Sequence, residues 1–428
     1  MSEGYVRIPI APAPARWAIS LVAIVLAAVS GVYVVRWGIA ESIVAVADDY
    51  PVTVELIDAA RRLQPGNPET AYISALYALD SAQPPDVETA GQLLEEAVRL
   101  APNRPVYWMA LGRQRETVGR LDDSERAFLR AVDLAPSRWK PRWMLGNLYV
   151  RQGRFEEAVG PFSMVCRLNP GLAPLAVRTI WSATGRGDLE LLNAVTSSTV
   201  AGRAAVIELW VSEGRVDEAL TRWNELVAQF GLVPGVIGSG QQVAEALRVG
   251  GRGGEYADIA SMLNPERRAV LDTIANAGFD EPISESESSP FAWKAIRSPE
   301  ARMSVDAGRS GGKALRIDYN SKGGTSFQHV AQSVRVQAGA VYVLSVWVIC
   351  EKLQSGGLPA IVVSDGSGAG SILGTISVSA TATGWTQVSV PFTAPPSGLV
   401  TIRIVRESCG PVCPILGTIR FDDVMLSR

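Results

Sequence analysis

Residues 97–103 read Ala-Val-Arg-Leu-Ala-Pro-Asn, and the pattern returns as Ala-Val-Asp-Leu-Ala-Pro-Ser at 131–137 and as Val-Cys-Arg-Leu-Asn-Pro-Gly at 165–171. The prolines of these copies, Pro102, Pro136 and Pro170, are 34 residues apart. Proline lacks an N–H group and clashes with the preceding helical turn, so each one ends a helix. This fixed spacing predicts a stack of helical hairpins, each of which buries its apolar face against its neighbours.

The interiors of the two central units also correspond. Leu111 and Gly112 return as Leu145 and Gly146, and the later positions of the units match as Gly119 with Gly153 and Phe128 with Phe162. This order resembles the tetratricopeptide repeat, in which small residues let two helices approach and aromatic residues fill the space beside them. The resemblance covers about residues 51–230 and weakens after residue 171. It implies a helical superhelix over 41–231 that binds protein partners on its concave surface.

Three arginines lie outside the packing pattern of the repeats. Arg115 stands where the first unit would carry an aromatic residue, and Arg142 stands where the second would carry tryptophan. Together with Arg113 they are the candidates for contacts with a protein partner. The alternative is that all three are solvated surface charges.

The N-terminal region contains one long apolar stretch. Residues 17–35 read WAISLVAIVLAAVSGVYVV, carry no charge and are bracketed by Arg16 and Arg36. At about 1.5 Å per residue such a helix spans roughly the 30 Å hydrocarbon core of a bilayer. We therefore expect a short cytoplasmic tail over 1–16 and a lipid-embedded helix over 17–36. A cleaved secretory signal, with small residues at 38–40, is the alternative.

Charges around this helix indicate its orientation. Two arginines precede it, whereas acidic residues follow Arg36 within the next turns. The positive-inside rule places the N-terminus in the cytoplasm. This predicts a single-pass protein of the inner (cytoplasmic) membrane, with most of the chain on the periplasmic side.

Composition argues against several classes of function. The formal net charge is −3, so the chain is not built to hold nucleic acid. His329 is the one histidine, which leaves few routes to a zinc site or a Ser-His-Asp arrangement. Acidic residues are present, but no motif pairs them as a glycosidase requires. We therefore expect a protein that is not an enzyme.

The C-terminal part changes in character. Residues 232–275 are expected to form a helical cap and linker. From Asn276 onward, short alternating segments rich in Ser, Thr, Gly and Val predict a β-sandwich over 276–428. The order of its motifs, from Asn-Ala-Gly-Phe-Asp at 276–280 to Phe-Asp-Asp-Val-Met-Leu at 421–426, resembles the jelly-roll carbohydrate-binding-module-like (galactose-binding-like) domains. The predicted fold class is therefore multidomain: a transmembrane helix, an all-α array and an all-β jelly roll.

The resemblance to these modules also implies a structural calcium ion near the first and last strands. Asp280, Asp422 and Asp423 occupy the matching positions, with Asp280 in place of the usual glutamate. Carboxylate oxygens suit a hard cation, so these three residues are the candidate ligands.

Sugar binding normally requires an exposed aromatic ring. Along 341–348, alternation places Trp347 on the face opposite a set of apolar residues, namely Tyr342, Leu344, Val346 and Val348. On the preceding strand, Phe327 and His329 share a face opposite Gln332. Trp347, Phe327 and His329 are thus the predicted polysaccharide platform, whereas Trp385 is expected in the core. The alternative is that these aromatics pack within the sheet or against the helices.

Cys409 and Cys413 lie in a loop before the last strand. In an oxidising compartment they are expected to close a small disulfide loop. Their spacing also permits a metal site, but no other ligand lies nearby in the sequence.

These observations combine into one functional hypothesis. The chain is expected to be a membrane-anchored bacterial scaffold whose repeats bind protein partners and whose sandwich binds glycan, in exopolysaccharide or cell-envelope polysaccharide assembly or export. The alternative is a structural or interaction protein whose sandwich binds protein or nothing.

Overall fold

The computed structural model describes residues 13–49, 54–80, 85–185, 189–299, 301–309, 311–322, 327–368, 370–406, 409–410 and 412–428. Helices come first along the chain and two antiparallel sheets follow, which confirms the predicted fold class. The chain divides into two compact units, 1–198 and 199–428. This division falls inside the segment expected to form the repeat array, and each unit is described by itself.

The first unit is helical throughout its described residues. Its helices are α1 (Ala13–Asp49), α2 (Val54–Leu63), α3 (Pro68–Asp80), α4 (Val87–Leu100), α5 (Pro105–Thr117), α6 (Leu121–Leu134), α7 (Trp139–Arg151), α8 (Phe155–Leu168), α9 (Ala173–Ala183) and α10 (Leu189–Thr196), with a 3-10 turn at Pro170–Leu172. Consecutive helices pair as hairpins, as the repeat predicts.

Two glycines determine how closely the central hairpins pack. At Gly112 an added Cβ would lie 2.6 Å from the Phe128 ring, and at Gly146 it would lie 3.1 Å from the Phe162 ring. Glycine at these positions therefore lets each aromatic ring sit directly on the facing helix, and both rings are buried.

Helix α1 is longer than the predicted membrane segment. By length and composition, Trp17–Ile43 is apolar enough to cross a membrane, and a signal sequence would meet the same criteria. The helix does not end at Arg36 but continues to Asp49. Its C-terminal half packs on the array: Ala40 is fully buried and Arg36 Nη2 donates to the carbonyl oxygen of Arg62 at 3.1 Å. Most of the predicted tail, residues 1–12, lies outside the described residues.

The second unit joins four helices to a two-sheet sandwich. The helices are α11 (Val200–Ser212), α12 (Val216–Phe230), α13 (Pro234–Val249) and α14 (Gly253–Leu263). The strands are β1 (Lys294–Ala295), β2 (Ala301–Ala307), β3 (Lys313–Ser321), β4 (Phe327–Arg335), β5 (Val341–Ser355), β6 (Ala360–Asp365), β7 (Ile372–Ser377), β8 (Thr386–Thr393), β9 (Leu399–Arg406) and β10 (Ile415–Ser427). The sheet orders are β1-β4-β9-β6-β7 and β2-β3-β10-β5-β8.

The core of the sandwich lies between the two sheets. Strand β5 contributes Tyr342, Leu344, Val346 and Val348, all buried, while Trp347 lies on the outer face, as alternation predicted.

Helix α14 closes one end of the sandwich. Ala257 and Ala260 pack with Phe291 and Leu399 in a small apolar cluster. Arg335 at the end of β4 forms an ion pair with Asp258 of the helix at 2.7 Å. The linker helices are therefore fixed to the strand ends of the sandwich.

Candidate functional sites

A groove of about 400 Å³ crosses the first helices of successive hairpins, α3, α5 and α7. Arg113 and Lys140 bring positive charge to it, and Asp80 brings a carboxylate. The remaining lining is largely apolar and includes Tyr72, Leu76, Leu79, Val106, Met109 and Met144. Of the three candidate arginines, Arg113 therefore lies in a groove of the array, where its side chain is exposed.

Arg142 replaces the missing tryptophan of its repeat in function as well as in position. In the first unit the Trp108 indole Nε1 donates to the carbonyl oxygen of Pro102 at 2.8 Å. In the second unit Arg142 Nη1 donates to the carbonyl oxygen of Pro136 at 2.7 Å. Both donors fasten the loop that precedes their helix. This contact gives Arg142 a structural role, and the structure does not support the expectation that it contacts a protein partner.

Arg115 is also occupied within the array. Its side chain is buried, with 8% of the residue exposed, and its guanidinium pairs with the Glu95 carboxylate. The expectation that it reaches a partner is therefore wrong in this structure. A buried guanidinium needs a partner for its charge, and Glu95 on the facing helix supplies it.

The predicted aromatic platform does not assemble. Phe327 is 3% exposed and belongs to the core between the sheets. The register of β4 against β9 shifts between Phe327 and Val330, so the bulge turns Phe327 inward against the simple alternation. Trp347 lies in the other sheet, and the His329 side chain lies outside the described residues.

The structure supplies a different neighbour for Trp347. Strand β8 pairs with β5 so that Gln387 lies opposite Trp347, and Trp385 precedes Gln387 by two positions. Period-two alternation puts Trp385 on the same outer face as Trp347. Both tryptophans are half-buried, so the expectation that Trp385 lies in the core is wrong. Extending the alternation of β8 back by one residue would have identified Trp385 from the sequence.

Arg309 lies over Trp347 and links it to the acidic cluster. The guanidinium carbon is 4.2 Å from the Trp347 ring centroid, and Nη2 is 2.7 Å from an Asp423 carboxylate oxygen. This is a cation–π contact anchored by an ion pair. It covers one face of the indole and holds the ring in place.

Of the three candidate calcium ligands, Asp280 and Asp422 both lie beside Gly278, but the carboxylate oxygens have other partners. Asp280 accepts the backbone N–H of Lys313 at 2.9 Å, and Asp422 accepts those of Arg309 and Asp423, each at 2.8 Å. Burial raises the pKa of the Asp422 carboxyl above its usual range.

Asp423 is paired with Arg309, so a guanidinium already supplies positive charge to this cluster. Within the described ranges, no group of three or more His, Cys, Asp or Glu residues is arranged to hold a metal ion. The cluster as described does not fit a calcium ligand set, and the ion stays a prediction from the resemblance. A melting temperature that is unchanged by excess chelator would contradict the prediction of a bound calcium ion.

Cys409 and Cys413 are joined as a disulfide, with their Cα atoms 5.4 Å apart. The loop they close lies between β9 and β10. The other two cysteines, Cys166 and Cys350, are free and buried. Burial raises the pKa of each of these two thiols to about 11.

Comparison with known proteins agrees with the helical part of the fold. Residues 109–173 match the family model described as Tetratricopeptide repeat, so the chain carries these repeats. A curated relative, Cellulose synthase operon protein C of Xanthomonas axonopodis pv. citri (strain 306), is 26% identical over 242 residues. That match covers 53% of this chain but 15% of the relative, so the chain spans only a small part of that protein.

Solved structures resemble separate parts of the chain. The pilF protein of Pseudomonas aeruginosa is 13% identical with a TM-score of 0.32, covering 47% of this chain and 96% of its own. A CBM4 structure is 22% identical with a TM-score of 0.28, covering 36% of this chain and 99% of its own. TmCBM61, solved in complex with beta-1,4-galactotriose, is 21% identical with a TM-score of 0.27, covering 37% and 98%. At these identities and TM-scores, no conclusion about this chain rests on them.

Proposed function

We propose that this chain is a membrane-anchored bacterial scaffold whose repeat array binds a protein partner and whose sandwich binds glycan, in the assembly or export of an exopolysaccharide or envelope polysaccharide. The observation that carries the proposal is the half-buried Trp347 on the outer sheet face, with the half-buried Trp385 directly before the strand that pairs with β5. The repeats and the relative named for a cellulose synthase operon support the same setting.

The tryptophan face has the chemistry of a sugar site. Indole rings offer an apolar surface to the C–H faces of a pyranose. Gln387, opposite Trp347 in the register and two positions after Trp385, carries an amide that can bond hydroxyl groups. Elsewhere on this face, two arginines pair with carboxylates. Arg316 pairs with Asp306 at 2.9 Å, and Arg420 pairs with Glu351 at 2.7 Å. At the tryptophan end, Arg309 lies over one face of Trp347 and pairs with Asp423, so polar groups border the aromatic surface.

Glycan binding is tested with the full chain in detergent micelles, by affinity electrophoresis in gels that contain a soluble β-glucan, hydroxyethyl cellulose or dextran. We expect retardation by at least one β-linked polymer and a loss of about tenfold in affinity for Trp385→Ala and for Trp347→Ala, because each ring contributes on the order of 1.4 kcal/mol. Ile372→Ala is the matched control, since Ile372 is an exposed apolar residue of the other sheet.

Two results would overturn the glycan part of the proposal. Migration of the wild type unchanged by all three polymers would favour a sandwich that serves only structure or protein binding. Equal loss in Ile372→Ala would show that the tryptophan face is not the site.

The groove over α3, α5 and α7 supplies the protein-binding part. Methionine side chains at Met109 and Met144 adapt to varied apolar surfaces, and Arg113 and Lys140 favour a partner segment with a carboxylate. We therefore propose an apolar segment with an acidic residue as the occupant.

Partner binding is tested by cross-linking and affinity purification of the tagged full chain from its native membranes. Arg113→Glu is expected to reduce the recovery of a specific partner at least fivefold. Arg130→Glu is the control, because Arg130 is an exposed arginine of α6 that does not line the groove. If both variants retain the partner equally, the partner binds elsewhere.

We also propose that α1 remains as an anchor in the inner membrane, with the N-terminus in the cytoplasm and the bulk of the chain on the periplasmic side. The intact mass of the mature protein checks the first point, since a chain that begins near Glu41 would be a processed secretory product. Protease digestion of spheroplasts checks the second: protection of the sandwich would reverse the orientation.

A further inference from the structure

The two sulfurs of the Cys409–Cys413 disulfide lie in different environments. Cys413 is 1% exposed, and a buried guanidinium, that of Arg406, reaches it from β9. Arg406 Nη2 lies 3.0 Å from Cys413 Sγ and donates to the Cys413 carbonyl oxygen at 2.6 Å. Arg406 Nε donates to the carbonyl oxygen of Gly357 at 3.0 Å, which fixes the guanidinium at the end of β5.

The other half of the disulfide faces solvent. Cys409 is exposed, and Val412 in the same loop is 83% exposed. Gly356 comes close to the Cys409 sulfur, since a Cβ added there would lie 3.2 Å from Sγ, so one side of this sulfur is covered by backbone. A thiolate from solution can therefore approach Cys409 from its open side, while Cys413 is shielded.

We propose that Cys409–Cys413 is a thiol–disulfide exchange site that reacts with a dithiol reductant. A thiolate of the dithiol attacks Cys409 Sγ and forms a mixed disulfide. The Cys409–Cys413 bond breaks, and its electron pair goes to Cys413 Sγ as a thiolate beside Arg406. The second thiol of the dithiol, after losing its proton to water, attacks the mixed disulfide and releases Cys409 as a thiolate that takes up a proton. The dithiol is oxidised by two electrons and this disulfide is reduced.

Arg406 determines which sulfur leaves. A leaving thiol with a lower pKa departs faster, and a neighbouring guanidinium stabilises the thiolate form. Tyr319, which faces the same small cavity as Arg406, stays neutral because burial raises the pKa of its hydroxyl. The Cys413 thiolate therefore lies beside the fixed Arg406 guanidinium, and the neutral Tyr319 adds no negative charge there.

The remaining thiols of the chain contrast with this site. Cys166 and Cys350 are buried, and burial raises the pKa of each to about 11. Below pH 9 they stay protonated and unreactive. This contrast gives a spectroscopic window in which Cys413 alone is expected to ionise once Cys409 is replaced.

The first experiment titrates the Cys409→Ser variant of the full chain in detergent between pH 5 and pH 9, by thiolate absorbance at 240 nm. We expect one thiol to ionise with a midpoint below pH 7.5. In Cys409→Ser/Arg406→Gln the midpoint is expected above about 8.5, the ordinary thiol value, and Cys409→Ser/Arg406→Lys is expected to restore part of the shift. A midpoint at or above 8.5 with Arg406 present overturns the proposal.

The second experiment measures the rate at which dithiothreitol reduces the disulfide in the otherwise unchanged chain. Arg406→Lys is expected to react at least threefold more slowly and Arg406→Gln at least tenfold more slowly. Equal rates in all three overturn the proposal. If Arg406→Gln does not fold by circular dichroism, the titration with Arg406 in place still decides. Neither readout involves glycan or partner binding, so the outcome is independent of the proposed scaffold function.

Discussion

The hairpins α5–α6 and α7–α8 are two copies of the same repeat, but they differ at positions where the repeat usually carries an aromatic residue. Trp108 in the first corresponds to Arg142 in the second, yet both donate to a proline carbonyl oxygen six residues earlier. Arg115 corresponds to Tyr149, yet each pairs with a glutamate on the preceding hairpin, Glu95 or Glu125. What the repeat preserves is a donor at a given place, and several side chains can supply it.

The two hairpins differ most in how tightly a glycine faces an aromatic ring. Gly112→Ala is expected to lower the free energy of unfolding by about 2–3 kcal/mol and Gly146→Ala by about 1 kcal/mol, since overpacking of a filled core has costs of this order. The reason is the closer approach at Gly112, where the new Cβ would lie 2.6 Å from Phe128 against 3.1 Å at the second site. The measurement is the urea midpoint followed by helical ellipticity.

Gly160→Ala is the control for these two substitutions. Gly160 lies inside α8 and an added Cβ meets nothing within 4 Å, so alanine should stabilise the helix by about 0.5–1 kcal/mol. Equal destabilisation by Gly112→Ala and Gly146→Ala would contradict the distances in the structure.

The two hairpins also differ in the ion pairs at the N-terminal end of their second helices, α6 and α8. Arg154 pairs with Glu157 of its own helix, just as Arg120 pairs with Asp123. Arg154 additionally binds Glu125 of the preceding hairpin at 2.6 Å. The hydrogen bond from Arg154 holds the pKa of Glu125 below its usual range. A depressed carboxyl pKa gives stability that is present above the unfolded pKa and lost as pH falls through the folded pKa.

Arg154→Gln should therefore lower the urea midpoint at pH 7 more than Arg120→Gln does. It should also flatten the loss of stability between about pH 5 and pH 3, the acid range of ordinary glutamates. The check is a set of urea midpoints across this range. Identical acid profiles for Arg154→Gln and the wild type would refute a role for the Glu125 pair.

The smallest effect is expected where the two hairpins are interchangeable. Arg142→Trp restores the donor of the first hairpin and should change the unfolding free energy by less than about 0.5 kcal/mol. Arg142→Met keeps length but removes the donor, and is expected to destabilise by about 1 kcal/mol. If Arg142→Met is as stable as the wild type, the hydrogen bond to Pro136 does not contribute to the free energy of unfolding. Arg142 and Trp108 would then share a position but not a stabilising role.

Sequence predicted the array more completely than it predicted the sites. Regular spacing of Pro102, Pro136 and Pro170 was enough for the hairpins, and alternation was enough to direct Trp347 outward. The roles of Arg115 and Phe327 were wrong for different reasons. Arg115 is buried because a glutamate from another hairpin meets it, which is a contact between distant positions in the chain.

Phe327 turns inward because of a bulge, and a single irregular residue reverses the face of every position before it. Neither the long-range pairing of Arg115 nor this register shift leaves a local signal. Trp385 was within reach of the sequence, because alternation from Gln387 places it beside Trp347.

Helix α1 runs from Ala13 to Asp49 without interruption, and its later turns are held against the array by Ala40 and Arg36. A flexible tether would let the array sample a volume whose radius grows with the square root of linker length. A helical stem removes that freedom. If α1 is anchored in a bilayer as proposed, the array is held at one height above the lipid. A partner on the same membrane would then meet the groove at a raised effective concentration, whereas a soluble competitor would not.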